Sequence, residues 1–260
     1  MDSLAARKAL LFSAGGVRFA LRVSLLREVV EVPEGEGDGE GELVARGEAL
    51  PCARVAAILG LPAGRAPYAL LVEGPPRAAL RVEALHGIVD LGGAEFFQLP
   101  ARTFLPRPAP FSGAIVWKGE IALELAVATL GLAPLAAAAE LPAPAVDAGT
   151  ASERELRFAR GDRAFAVPLS LLVQVLEAPR VAPVPLAPPS HLGLLYHGRA
   201  LHPLLDVAAL LGEPPGPPPR RALLLDAGGT AVAVAADRVL APTESDGGVL
   251  RPPWDAVLAP

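Results

Sequence analysis

The chain contains one cysteine, Cys52, in 260 residues. That excludes an internal disulfide and any multi-cysteine zinc or iron–sulfur centre. Cys52 stands between Pro51 and Ala53 with no histidine near it in sequence, so it reads as a small buried apolar residue rather than a nucleophile. Lysine is confined to Lys8 and Lys118, and the formal charge is −5. No basic footprint for nucleic acid or anionic lipid is present. Long apolar runs are missing as well. The best stretch, 121–139, is interrupted by Glu124, Gly131 and Pro134, and falls short of the ~20 apolar residues that a spanning helix needs. After Arg7 and Lys8 the apolar residues give way at Ser13 and Gly15-Gly16, too soon for a signal-peptide core. The expectation is a soluble, cytoplasmic protein with no direct membrane insertion.

Catalytic signatures are equally scarce. There is no Gly-x-Ser-x-Gly elbow, and the glycine pairs at 15–16, 92–93 and 228–229 lack a following lysine at phosphate-loop spacing. His191, His197 and His202 are spaced by six and five residues, which does not match structural zinc patterns. No catalytic residue, cofactor or metal is expected.

What is there is repetition. Residues 8–31 match the chain again at an offset of 146: Phe12 falls on Phe158, Gly15 on Gly161, Phe19-Ala20 on Phe165-Ala166, Ser24 on Ser170, Val29 on Val175 and Glu31 on Glu177. A second block, Val55-Ala56-Ala57 with Leu59-Gly60, matches Val207-Ala208-Ala209 with Leu211-Gly212 at an offset of 152. Such drift belongs in loops. The reading is a tandem duplication: copy one over 8–132, an Ala/Pro-rich linker over 133–152 and copy two over 153–258. Each copy opens with a hairpin signal, alternating Leu10, Phe12 and Ala14 before Gly15-Gly16, and Leu156 and Phe158 before Gly161-Asp162. Ser24 and Ser170 are placed as helix N-caps, predicting one or two helical turns over 25–30. Gly60 and Gly212 close short helices over 55–59 and 207–211. Buried strands follow over 68–72 and 222–225, and copy one ends with a hairpin over 114–125. Many short strands with frequent turns argue for small β-barrels or sandwiches. The Gly35–Gly41 run reads as a solvated acidic loop.

This order resembles the CheW-like domain of bacterial chemotaxis systems. Leu10–Leu21 is similar to the family's first hairpin, and Leu26-Arg27-Glu28-Val29-Val30 to its V-x-E-V segment. Ala45-Arg46-Gly47-Glu48-Ala49-Leu50-Pro51 resembles its L-R-G-x-x-x-P stretch, as does His197-Gly198-Arg199 through Asp206 in copy two. Ala231–Val239 is similar to its V-D-x-V strand. The resemblance spans nearly all of both copies. It implies a mainly β fold in which each copy is a pair of small five-stranded, SH3-like β-barrels with short helices. It also implies a non-enzymatic adaptor that joins a chemoreceptor signalling tip to the regulatory domain of a CheA-type histidine kinase, at membrane-associated receptor arrays.

The departures from the family are specific. The arginine of L-R-G is Arg46 in copy one, and aligns with His197 in copy two. The aspartate of P-x-x-D is Arg54 in copy one and Asp206 in copy two. Copy two lacks a counterpart of the 114–125 hairpin, so either its barrel has an open edge, an association hazard through which chains could self-associate, or something else pairs with it; copy one, the linker or a partner chain is expected to cover that edge. Expected partner contacts are Arg46, Gly47, Glu48, Val29 and Glu31 in copy one, and His197, Gly198, Arg199, Val175 and Glu177 in copy two. The alternative function is a self-assembling structural scaffold in another motility or polarity complex.

Overall fold

A computed structural model describes all residues except 1–6, 34–40, 75–76, 101–102, 104, 106–108, 141–142, 145–153, 215, 227–228, 230, 242–247 and 259–260. The acidic loop and much of the linker lie outside the described residues; 133–140 and 143–144 carry no helix or strand. The chain divides into two compact units. One is Met1–Leu99 with Leu105–Ala138 and Val184–Leu186, the other Pro100–Phe104 with Ala139–Pro183 and Ala187–Pro260. Both are mainly β, each built from two sheets.

Copy one carries eleven strands among the described residues: β1 (Lys8–Ala14), β2 (Val17–Arg22), β3 (Leu26–Glu31), β4 (Gly41–Ala45), β5 (Glu48–Arg54), β6 (Tyr68–Val72), β7 (Ala78–Val82), β8 (Ala84–Asp90), β9 (Glu95–Phe97), β10 (Phe111–Trp117) and β11 (Glu120–Leu125). A one-turn helix, α1 (Val55–Ile58), follows β5. The first sheet is ordered β8-β1-β2-β11-β10-β9 and the second β3-β6-β7-β5-β4. Gly15 and Gly16 supply the left-handed φ of the β1–β2 turn, at +57° and +77°. Strand alternation sends Ala9, Leu11, Ala20, Val89, Ile115 and Ala122 to one face of the first sheet. Phe12, Phe19 and Phe111 stack on the other, with centroids 5.7 and 6.1 Å apart. Neither sheet closes into a hydrogen-bonded barrel.

The helix expected over 25–30 does not form. Val23–Leu25 make a single 3-10 turn and the chain passes directly into β3. Val29 and Val30 are β-branched, and β3 finds an edge on β6 with Val29 opposite Leu70, so sheet pairing outweighs the capping potential of Ser24. The short helices at 55 and 207 do form. Gly60 and Gly212 sit just beyond their ends at φ +63° and +86°.

Copy two carries β12 (Glu155–Arg160), β13 (Arg163–Pro168), β14 (Leu172–Glu177), β15 (Val181–Ala182), β16 (His191–His197), β17 (Ala200–Leu205), β18 (Arg221–Asp226), β19 (Ala231–Ala236), β20 (Arg238–Leu240) and β21 (Val249–Leu250). Two short helices, α2 (Val207–Leu210) and α3 (Trp254–Leu258), complete it. Its sheets are β20-β12-β13-β21 and β14-β18-β19-β17-β16-β15. Among the described residues copy two shows no closing hairpin, but the counterpart of its last strand is there. Leu250 pairs parallel with Phe165, at the register Leu123 takes with Phe19 in copy one. The shortfall therefore lies between β20 and β21.

Two features answer that shortfall. Trp254 packs on Phe158 at 6.4 Å, and its indole N–H donates to the Ala166 carbonyl at 2.9 Å. The β13 edge is thus covered by β21 and the indole. The sheet face that packs an apolar cluster in copy one has turned polar: the positions of Ala9 and Leu11 are Glu155 and Arg157. Glu155 accepts from Arg157 at 3.2 Å and from Arg251 at 2.9 and 3.1 Å. Without a covering hairpin an apolar face there would stay wet. The remaining core gathers between the sheets around Phe158, Phe165, Leu223 and Trp254.

Candidate protein-docking site

In copy one Arg46, Gly47 and Glu48 lie where the two edges of the second sheet approach. Arg46 and Gly47 are the central residues of the β4–β5 turn, flanked by the Ala45–Glu48 pair. Both have left-handed backbones, at φ +52° and +80°, as a two-residue hairpin turn with the twist of its strands requires. Gly47 is free of steric crowding, so conformation is what favours glycine there.

Ion pairs join this hairpin tip to β3 at the opposite sheet edge. Arg46 Nη2 donates to Glu28 Oε1 at 2.8 Å, and Arg27 Nη1 donates to Glu48 Oε2 at 2.8 Å. Arg77 stands 3.6 Å from Glu48 and 3.3 Å from Glu73. The hydrogen bond from Arg46 holds the Glu28 carboxyl below the usual carboxylate range, and that from Arg27 does the same for Glu48. Exposed pairs of this kind contribute little stability. Their effect is to fix the orientation of a charged surface with Arg46 at its crest, 73% exposed. Val29 is half-buried and Glu31 exposed. Alternation puts both on the face of β3 opposite Glu28, so they do not join the Arg46–Glu28 pair.

Strand register corrects the alignment of copy two. Cys52 pairs with Ala79 and Leu204 with Ala233 in matching parallel ladders, which fixes the offset at 152. Arg46 therefore corresponds to Gly198 and Gly47 to Arg199. His197 matches Ala45 as the last ladder residue before the turn, paired with Ala200. The turn is again left-handed at both positions, Gly198 at +58° and Arg199 at +62°, with glycine and arginine exchanged. His197 Nε2 lies 3.0 Å from Gln174 Oε1, and Gln174 occupies the position of Glu28. The Arg–Glu bridge of copy one is thus replaced by a His–Gln contact in copy two. Arg27 is replaced by Val173, 58% exposed, and Glu48 by Ala200. Val175 packs against the main core, while Glu177 accepts from Arg221 Nε at 2.6 Å.

Asp206 has a structural post that its sequence context did not reveal. It is fully buried, and its Oδ1 accepts from the N–H groups of Ala208 and Ala209, capping α2. Its Oδ2 accepts from Arg160 Nε at 2.9 Å and Nη2 at 2.6 Å. Arg160 Nη1 in turn reaches Asp237 and the Pro217 carbonyl. Burial works against the Arg160 charge, but the Asp206 and Asp237 carboxylates outweigh it and raise its pKa. At the corresponding positions copy one has Ala14 and Arg54. Cys52 is buried, and desolvation pushes its thiol pKa up. Among the described residues no three His, Cys, Asp or Glu side chains are grouped to hold a metal ion, and no helix is long and apolar enough to cross a membrane.

A turn-tipped hairpin built into a sheet of five strands in copy one and six in copy two agrees with the family comparison: the model for the CheW-like domain matches residues 8–131 and again 155–257. The chain belongs to the CheW-like domain family. Among solved structures it is similar to the scaffolding protein TtCheW from Thermoanaerobacter tengcongensis, at 19% identity and a TM-score of 0.40, over 48% of this chain and 92% of that one. No curated protein matches the sequence. Membership places this tandem CheW-like chain among chemotaxis-type coupling scaffolds.

Proposed function

We propose that this tandem CheW-like protein is a cytoplasmic adaptor without chemistry of its own. It joins the signalling tip of a chemoreceptor to the regulatory domain of a CheA-type histidine kinase at receptor arrays. The observation that carries the reading is the double CheW-like match, supported by the different dress of the two hairpin tips. Copy one offers the Arg46, Gly47 and Glu48 turn held by ion pairs, with Val29 and Glu31 on the neighbouring strand. Copy two offers His197, Gly198 and Arg199 with Val175 and Glu177 behind them. Two copies of one scaffold with differently charged tips suit two different partners, since charge complementarity governs partner choice more than affinity.

The test is calorimetric titration of the full chain with the regulatory domain of a CheA-type kinase from the same organism. Saturable binding near micromolar affinity is expected, as for modest reversible interfaces. Failure to bind any such kinase, together with concentration-dependent self-association of the chain, overturns the adaptor reading in favour of a self-assembling scaffold.

A further inference from the structure

We infer that His202 is a proton-operated tie that positions the docking turn of copy two. His202 lies on β17, between β16 and β19 in the second sheet of that copy. It is 8% exposed. Its ring reaches the backbone of both neighbouring strands. Nδ1 stands 3.2 Å from the Ala231 carbonyl oxygen on β19, and Nε2 stands 3.2 Å from the His197 carbonyl oxygen on β16. A carbonyl oxygen only accepts, whereas a neutral imidazole has one N–H and one lone pair. The neutral ring therefore donates to one carbonyl and turns a lone pair on the other. The imidazolium donates to both, and hydrogen bonds from a charged donor are the stronger ones. Gly198 and Arg199 follow His197 directly, with left-handed backbones at φ +58° and +62°. The tie is thus made at the base of the turn that carries the proposed contact residues.

The duplication shows that the fold itself does not require a histidine here. By ladder register His202 corresponds to Leu50 of copy one, which packs in an apolar cluster with Cys52, Ala69 and Leu71. Copy one steadies its turn through the Arg46–Glu28 and Arg27–Glu48 pairs. Copy two has the His197–Gln174 contact instead, and adds the two carbonyl contacts of His202. His202 is the ladder partner of Leu195 and shares a sheet face with Leu204 and Ala233. Those neighbours offer a charge no solvation, so the two carbonyl dipoles stand in for water. The titratable and charged groups on the surrounding elements are His191, Tyr196 and His197 on β16, Arg199 in the turn, Arg180 before β15 and Asp226 on β18 opposite Ala231. Asp226 accepts from the Gly229 N–H at 2.7 Å. β17 and β19 carry no titratable residue besides His202. The tie belongs to the chain itself; its bearing on a partner rests on the adaptor reading above.

The test is heteronuclear NMR of the isotope-labelled full chain between pH ~8 and ~5, the range in which histidine side chains change charge. As the pH falls, the His202 ring should pass from one N–H to two. The amide of Gly198 shares its peptide group with the His197 carbonyl, and that of Val232 with the Ala231 carbonyl. Whichever carbonyl gains its donor should shift its amide with the midpoint of His202. His202→Leu, which installs the residue of copy one, should abolish that amide step. A His202 ring that keeps one protonation state across the range overturns the proposal. So do amide shifts that follow the midpoint of His197, or a step that survives in His202→Leu. The wild-type titration reads the tie even where the variant folds poorly. No partner is added, so a chain that shows the step yet binds neither a kinase regulatory domain nor a receptor tip refutes the adaptor reading and not the tie.

Discussion

Removing Asp206 tests what holds copy two together. Asp206→Ala takes away one carboxylate that serves two structures, the N-terminus of α2 and the Arg160 guanidinium. Loss of a cap costs about 0.5–2 kcal/mol. Loss of one partner from a buried ion pair costs about 3–5 kcal/mol, because the remaining charge stays desolvated. Arg160 is 1% exposed and, among the described residues, keeps Asp237, itself partly solvated, as its counter-ion. The two losses overlap in one group, so the expected cost is about 3–5 kcal/mol rather than their sum. For a unit of this size that lowers the midpoint by about 12 °C or more. The assay is thermal and urea unfolding followed by tryptophan fluorescence in a Trp117→Phe background, where buried Trp254 reports copy two alone. The double variant Arg160→Met/Asp206→Leu should recover at least about half of the loss, since it removes the stranded charge. A single-variant cost below about 1 kcal/mol, or a double variant as unstable as the single, refutes the argument.

Three other outcomes are expected. His191 is buried with neither ring nitrogen hydrogen-bonded, and desolvation lowers its pKa to about 4. The fold therefore holds it neutral. Stability from this group is complete above pH ~6.5 and falls by up to about 3 kcal/mol as pH drops toward 4, because the unfolded chain takes up the proton first. His191→Leu should flatten that part of the stability–pH curve, measured by urea unfolding between pH 7.5 and 4.5; an unchanged curve contradicts the assignment. Gly193→Ala should destabilise copy two by about 2–4 kcal/mol, since φ is +139° and an added Cβ would lie 2.3 Å from the Ala182 carbonyl; a shift in midpoint of under a degree would show that the β15–β16 edge yields freely. Arg46→Ala should weaken binding to a receptor signalling tip more than His197→Ala, while thermal unfolding stays nearly unchanged because its ion pair is exposed. Equal effects count against a receptor role for Arg46.

Much of this architecture was legible in local signals. The 146-residue offset aligned the first strands of the two copies, because the same hydrophobic alternation and the same turn glycines recur. Glycines after 59 and 211 marked helix ends, and both helices are there. The segment at 25–30 was misread because Ser24 before apolar residues signals a helix only when no neighbouring strand is available, and β6 is available.

The sequence by itself determined the duplication, the β character and the position of nearly every turn, since alternation and left-handed turn residues act over a few residues. Tertiary structure decided the rest. Only the ladder register, carried by residues far apart in the chain, could show that Gly198 and not His197 stands where Arg46 does. Only packing could show Trp254 closing the β13 edge and Glu155 and Arg157 taking over a face left without its hairpin. The approach of His202 to Ala231 likewise arises across a parallel pairing, in which residues 29 apart in the chain become neighbours with no local pattern to announce it.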